Sequence, residues 1–350
     1  MKKYRIVKAD IEKNKDDLLP VLKRNLKDIS GEHYVWNYTA SPYGNAHCWL
    51  ASEESSGRCV GSGTLFPRRM FVEGKAVYGA IAGDFAVDKE HRAYGPALKL
   101  QRTIQSAHKD TGLEFIYGVP NKLSEPIFLR TGYSELGKYS RFIKILKAEY
   151  KLRQYLPPAS VTRMFSGIID LGLKGFSKEI RYRRPRNVSI EMPAFFDERF
   201  DLLWKKVFSQ FKIVGERNSK VLNWRYKESP HHDYRIFALI DHEQYIDGYI
   251  VYYTENSACY IADVLFVDSE SIRDSLFAEF ILYMRREGIG SISIRYLGGG
   301  LLSRQLRNFG FFLVKEEDSS VLIYSDKTSP LTPYLLQGDN WYFLEGDIDI

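Results

Sequence analysis

Gly83-Asp84-Phe85-Ala86-Val87-Asp88-Lys89-Glu90-His91-Arg92-Ala93-Tyr94-Gly95-Pro96-Ala97 decides how this chain is read. The apolar run ending at Val87 has the character of a strand, and Pro96 opens a helical pattern. Ala97, Leu100, Ile104 and Ala107 then fall on one helical face, a stripe that must be buried. A proline suits the first helical turn, where its missing N–H costs no intrahelical bond. The loop between strand and helix spells Arg92-x-x-Gly95-x-Ala97. A helix N-terminus offers unpaired N–H groups and partial positive charge, which suits a pyrophosphate. Gly95 lets the backbone come close, and Arg92 adds a cation. The same spacing fits an ordinary strand–helix turn. It matches neither G-x-x-x-x-G-K-[ST] nor G-x-G-x-x-G, so nucleotide loops of those two kinds are excluded.

Working outward, the chain is written twice. Trp36-Asn37-Tyr38-Thr39-Ala40-Ser41-Pro42 and Trp224-Arg225-Tyr226-Lys227-Glu228-Ser229-Pro230 both read W-x-Y-x-x-S-P, 188 positions apart. Asp84 and Asp263 sit in similar apolar runs, 179 apart; Gly132 and Gly310 follow similar segments, 178 apart. Three landmarks in one order at nearly one offset predict a duplication. The first copy is longer, and the extra residues are expected in a hairpin turning at Val72-Glu73-Gly74-Lys75.

In the first copy, strands are expected at 4–7, 48–52, 59–66, 76–81, 83–87, 114–119 and 142–146. Helices are expected at 16–25, 96–109 and 123–131, the last stopped by Gly132. The second copy repeats this, with helices at 201–211, 272–286 and 301–308. Its strands fall at 234–240, 246–253, 260–267, 291–296 and 321–324. The order β-β-β-α-β-α-β predicts an α/β fold, a mixed sheet with helices on both faces. The units are 1–150, a basic linker at 151–190, and 191–350 ending in a C-terminal tail.

The 83–97 stretch resembles motif A of the GNAT acyltransferase superfamily, whose [RQ]-x-x-G-x-[GA] loop holds the pyrophosphate of coenzyme A. The first copy is similar to a bacterial subgroup associated with polysaccharide and cell-envelope functions. The shared marks are W-x-Y-x-x-S-P at 36–42, with Ser41 in place of Asn, and Gly118-Val119-Pro120-Asn121. Phe128-Leu129-Arg130-Thr131-Gly132-Tyr133 stands where the family has Y-x-x-x-G-F. The resemblance covers about 4–147 with its motifs and about 200–325 as fold only. It implies two tandem GNAT-like domains.

The resemblance implies that Phe85, Ala86 and Val87 pair with the pantetheine arm of acetyl-CoA or another acyl-CoA. Amides of Arg92, Ala93, Tyr94, Gly95, Pro96 and Ala97 would wrap the pyrophosphate, less the one that Pro96 lacks. Asn121 would face the pantetheine. The reaction implied is acyl transfer from a thioester to an amine, which must be neutral to attack and so needs a base. Asp84 is the expected base; its ordinary alternative is a carboxylate bonded to local backbone. The usual tyrosine acid is replaced by Phe128, with Tyr117 expected in its stead and Tyr94 or Tyr133 as alternatives. Each of these also reads as a packing aromatic. Without an acid, proximity carries the step.

The second copy has Val267-Asp268-Ser269-Glu270 where motif A would fall, with no glycine and no cation. Two acids oppose a phosphate there, so this copy is expected to be degenerate and to shape the acceptor site. Gly298-Gly299-Gly300 reads as a flexible turn, since it has no lysine or hydroxyl partner.

Composition narrows the rest. The chain is 44% hydrophobic, enough for real cores and too much for disorder. No run reaches the roughly 18 apolar residues of a membrane span. Three cysteines without C-x-x-C argue against a disulfide framework and a structural zinc site, and predict a reducing, cytoplasmic setting. Seven histidines show no metal-ligand spacing, so no metal is expected.

Charge is uneven. Lys144 to Arg186 carries a net +8 and the rest −2, so this is not a general nucleic-acid binder. RYRRPR at 181–186 reads as a solvated linker or an anion contact. With an amphipathic 161–180 it could touch an anionic membrane, though a packed linker helix is favoured. The tail from Trp341 to Ile350 mixes aromatics with acids and could cap the cleft between copies or simply dock. Three functions follow. The first is an acyl-CoA-dependent N-acyltransferase acting on a small-molecule amine, such as an amino sugar or its nucleotide-linked form. The second is a Fem-like transferase drawing on aminoacyl-tRNA, favoured by the basic linker. The third is a non-catalytic binding protein.

Overall fold

The computed structural model describes residues 3–26, 29–147, 177–185 and 188–349. The first half runs β1 (Tyr4–Ala9), α1 (Lys15–Asn25), α2 (Gly31–Tyr34), β2 (His47–Glu53), β3 (Cys59–Val72) and β4 (Lys75–Val87). It continues with α3 (Pro96–Ala107), β5 (Phe115–Gly118), α4 (Glu125–Arg130) and β6 (Ser134–Ile145). The second half holds α5 (Lys178–Arg181), β7 (Ser189–Glu191), α6 (Glu198–Val207), β8 (Ile213–Gly215) and α7 (Ser219–Leu222). Then come β9 (Arg235–Ile240), β10 (Ile246–Glu255), β11 (Ala258–Phe266), α8 (Glu270–Arg286), β12 (Ser291–Gly298) and α9 (Gly300–Asn308). β13 (Phe312–Ser325), α10 (Thr332–Leu335) and β14 (Trp341–Phe343) complete the chain.

The fold is mixed α/β, as expected. Glu73 and Gly74 join β3 to β4 with φ of 50° and 73°, the left-handed pair a two-residue hairpin turn needs. The two strands expected at 76–81 and 83–87 are one strand, β4. Asp84 has φ 45°, and the pairing register shifts opposite it, between Ser62 and Thr64. The irregularity in this strand is a β-bulge, which bends a strand without ending it.

The sheet order is β1-β2-β3-β4-β5-β13-β6-β12-β11-β10-β9-β7, with β8 and β14 pairing off this path. β13 comes from the second half yet pairs with β5, while β6 from the first half pairs with β12. The halves exchange strands, so the sequence boundary near 150 does not separate them in space. A sheet continued in this way covers edges that each half would otherwise leave open.

The repeated motif lies on the axis between halves. Each copy is a four-residue α-helix, α2 or α7, running into a five-residue π-helical turn, Val35–Thr39 or Asn223–Lys227. Trp36 Nε1 donates to the Trp224 carbonyl at 2.7 Å, and Trp224 Nε1 donates to the Trp36 carbonyl at 3.0 Å. The indoles stack at 5.2 Å. Gly132 and Gly310 both follow their helices with positive φ, where a side chain would be strained.

In the described part of the basic stretch some cations are tied internally, while Arg181 and Arg183 are exposed. Glu179 is fully buried and pairs with Lys144 at 3.3 Å and Arg285 at 2.9 Å. Lys178 pairs with Asp274 at 2.7 Å, and Arg184 pairs with Glu279. These cations anchor the chain to α8. Residues 148–176, with most of the expected linker helix and its basic groups, lie outside the described residues.

Candidate active site

β4 and β5 run parallel and pair only from Gly79–Phe115 to Ile81–Tyr117. Beyond Ile81 they splay, leaving the β4 edge from Ala82 to Val87 without a strand on that side. Two adjoining cavities, each about 250 Å³, lie along this edge. Phe85, Ala86, Val87, Arg92, Ala97 and Asn121 line the first. Asp84, Phe85, Asn121, Phe128 and Asp349 line the second. Phe85, Asn121 and Ser124 belong to both, so they form one trough. An exposed strand edge pairs well with an extended, amide-bearing arm.

The loop differs in detail from the cradle expected of it. Residues 89–94 form a 3₁₀ turn, Gly95 has φ 86°, and α3 starts at Pro96. Arg92 Nε donates to the Val87 carbonyl at 2.9 Å, so the guanidinium also staples the loop. Ala93 is exposed and Pro96 buried; neither lines the trough. Gly95 lines a separate depression on the outer face of α3 with Lys99 and Arg102. For Tyr94 only the backbone is described. Asp88 is buried between Arg24, Arg58 and Asn25. Burial would raise its pKa, but these partners hold it below the usual carboxylate range. Asn121 Oδ1 accepts from the amides of Leu123 and Ser124, both at 3.0 Å. It shapes the turn into α4.

Tyr117 must be corrected. Its side chain is fully buried, with the hydroxyl at 3.9 Å from Met70 Sδ and the ring against Trp341 and Phe343. Alternation along β5 puts it in the core, not the trough. Tyr133 is likewise buried, its hydroxyl accepting from Gln101 Nε2 at 2.9 Å. Phe128 does line the trough and meets Phe85 edge to face. Among the described residues, no tyrosine lines either cavity.

Asp84 is where the sequence places it, but it is not alone. Tyr38 donates to Asp84 Oδ2 at 2.6 Å, and His33 Nε2 stands 3.7 Å from the same oxygen. Asp349, from the tail, accepts from the Asp84 amide at 3.1 Å and from Asn37 Nδ2 at 3.1 Å. Burial first, then the Asp84 charge, pushes its carboxyl up to about 6. Burial alone would lower His33, but Asp84 and Asp349 hold it above its ordinary value. A carboxylate poised there exchanges protons near neutral pH. Sequence reasoning missed His33 and Asp349. The acids of the tail were the only signal.

The tail reaches this site by crossing the second half. β14 pairs with the end of β12, and the Tyr342 hydroxyl donates to the Val264 carbonyl at 2.6 Å. It fills the splay between β11 and β12 that corresponds to the open one in the first half. There Arg217 bridges Asp263 at 3.0 Å and Asp347 at 2.6 Å in full burial. Arg225, the repeat partner of Asn37, donates to the carbonyls of Glu345 and Ile348. Both copies of the motif therefore grip the tail. Gly83 is required for its approach, because a Cβ there would meet Asp349 Oδ2 at 1.8 Å. Gly83→Ala is expected to displace Asp349 while sparing the fold. Proteolysis of the last few residues should accelerate at least tenfold, with the melting temperature falling only a few degrees.

Residues 12–136 match the family described as an acetyltransferase (GNAT) domain. The matched residues lie within the first half of the chain and take in the 83–97 stretch. No curated protein matches the chain. Among solved structures, a probable N-acyltransferase from Enterococcus faecalis superposes with a TM-score of 0.66 at 12% identity. That match covers 92% of this chain and 73% of the other. A GCN5-related N-acetyltransferase from Anabaena variabilis gives 0.64 at 14% identity, over 92% and 72%. Saccharomyces cerevisiae N-myristoyltransferase with bound myristoyl-CoA gives 0.56 at 10%, over 93% and 84%. At such identities the likeness is one of fold, and it extends over both halves. Among the described residues no helix is long and apolar enough to cross a membrane. Among them too, no group of three or more His, Cys, Asp or Glu side chains is arranged to hold a metal ion.

Proposed function

We propose that this protein is an acyl-CoA-dependent N-acyltransferase that moves an acetyl group onto a primary amine, such as an amino sugar or its nucleotide-linked form. The observation that carries this reading is the trough along the open edge of β4, ending at Asp84 and Asp349. Phe85, Ala86 and Val87 would pair with pantetheine, and Arg92 with the first amides of α3 would meet the diphosphate. The thioester carbon would then lie beside the carboxylates.

An amine enters this acidic pocket as an ammonium and must lose a proton to attack. Asp349, with its carboxyl near 6, takes that proton. The amine nitrogen bonds to the thioester carbon, the C–S bond breaks, and the thiolate leaves; the nitrogen sheds its second proton as the amide forms, and that proton ends on the released thiolate. Among the described lining residues no tyrosine replaces Phe128 as an acid, so the thiolate departs with little acid help, and positioning supplies most of the acceleration. The second half closes the acceptor side and brings no coenzyme site of its own, because β14 fills the equivalent splay. The free cysteines suit the cytoplasm, where acyl-CoA is made.

Acetyl-CoA at 100 times its dissociation constant should stabilise the protein by about 2.7 kcal/mol, read as a thermal shift. Arg92→Glu should abolish that shift while leaving the unliganded melting temperature within a few degrees. An undiminished shift in the variant refutes this placement of the diphosphate.

A further inference from the structure

The carboxylates receive a proton at each turnover in a pocket that becomes covered once substrates bind, so the proton needs a way out. We infer that His33 and His231 form a proton exit, carrying it from the Asp84–Asp349 pair through the contact between halves to solvent. This inference rests on the acyl-transfer reading of the same trough.

His33 is 1% exposed and bridges two environments. Its Nε2 faces Asp84 Oδ2 at 3.7 Å, and its Nδ1 lies 2.9 Å from Nε2 of His231. His231 belongs to the other half, directly after the second W-x-Y-x-x-S-P, and is only half-buried. The two imidazoles meet edge to face at 5.0 Å, each against Trp36. A hydrogen bond between two ring nitrogens needs one to donate and the other to accept. Either nitrogen can fill either role, so a proton entering at His33 Nε2 releases the one at Nδ1 to His231. The groups facing His33 are Asp84 from β4, Asp349 from the tail, Arg225 from the second π-helical turn, and His231. The two carboxylates draw the proton in, and Arg225 opposes its staying.

The arrangement explains why the π-helical turns matter. The extra residue of each turn brings Trp36 and Trp224 to the axis, and Trp36 walls the imidazole pair against water on one side. Neither His33 nor His231 lines the trough, so the path leaves it rather than running along it. His231 is thus a positioning and relay residue supplied by a half that has no coenzyme site.

The test uses the full chain labelled with ¹⁵N-histidine. In the wild type the His33 ring N–H should exchange with solvent fast enough to broaden its signal, despite its burial. In His231→Phe the exchange should slow at least tenfold. His231→Gln can still accept the His33 hydrogen bond but cannot relay a proton. It should be equally slow while keeping the wild-type melting temperature. Wild-type exchange in His231→Gln would make the contact merely structural and overturn the proposal, whether or not the Phe variant folds. With acetyl-CoA and glucosamine as probes, His231→Gln should lower kcat about tenfold at unchanged KM for acetyl-CoA, and added imidazole should restore part of the loss. Failure of the wild type to bind acetyl-CoA would sink the acyl-transfer reading, yet the exchange measurement would still decide the relay.

Discussion

Trp224→Ala is expected to destabilise the whole protein by about 3–5 kcal/mol, the usual loss for a large buried aromatic. The cost has three parts. Trp224 is 2% exposed, so truncation opens a cavity at the axis. Its indole N–H no longer meets the Trp36 carbonyl, leaving a buried acceptor orphaned. The Arg68 guanidinium, 4.7 Å from its ring centroid, loses its aromatic platform. Because β6 and β13 are exchanged, weakening the axis should not release one half alone. Denaturant unfolding monitored by tryptophan fluorescence and by far-UV circular dichroism should stay coincident, with the midpoint lowered. Trp49→Ala is the control, since Trp49 is equally buried but lies in the core under α3. A Trp224 variant that unfolds in two steps would show that the halves are independent and that strand exchange does not couple them.

The sequence made the local elements plain and their assembly obscure. The stripe of α3, the left-handed turn at Glu73-Gly74 and the glycine after α4 are written in neighbouring residues, where periodicity and φ preference act directly. The bulge at Asp84 lies inside the strand expected at 83–87, while the sequence divided that strand from 76–81 at residue 82; a one-residue insertion leaves no local mark that fixes its position. Strand exchange left no local trace: β6 and β13 carry apolar character that fits either partner, and pairing across nearly 200 residues is a tertiary choice. The W-x-Y-x-x-S-P copies could be matched by eye, but their reciprocal indole bonds needed the two halves in place. The site followed the same divide. Asp84 and the β4 edge were legible from the strand–loop–helix motif. His33 and Asp349 join them only through folding, from 51 positions before and 265 positions after Asp84. Tyr117 failed because a tyrosine on a short strand reads alike on both faces, and which face meets the core depends on β14.

Asp349→Asn should cut turnover by roughly 10²–10⁴, the usual worth of a general base, while acetyl-CoA still binds. Asparagine keeps an oxygen for the Asp84 amide, and its NH2 can donate to Asn37 Oδ1 once that amide flips, so the tail should stay docked. In the wild type, kcat/KM should rise with pH through about 6 as the carboxyl ionises, then level off. The variant should lose that limb. Asp84→Asn should be similarly damaging, and the double variant hardly worse than either single one, because two groups serving one proton are not additive. Stability should move the other way. A folded carboxyl pKa near 6, against 3.8 as the ordinary value, means the native state holds the extra proton between those limits. Stability contributed by this group therefore declines as pH rises through that window, and at pH 8 the ionised, buried Asp349 is a net cost on the order of 2–3 kcal/mol. Asp349→Asn should therefore melt higher than the wild type at pH 8 and no higher at pH 4. A variant that is slower and also less stable at pH 8 would mean that the tail carboxylate serves the fold, not proton transfer. Asp84 would then have to act as the base without it.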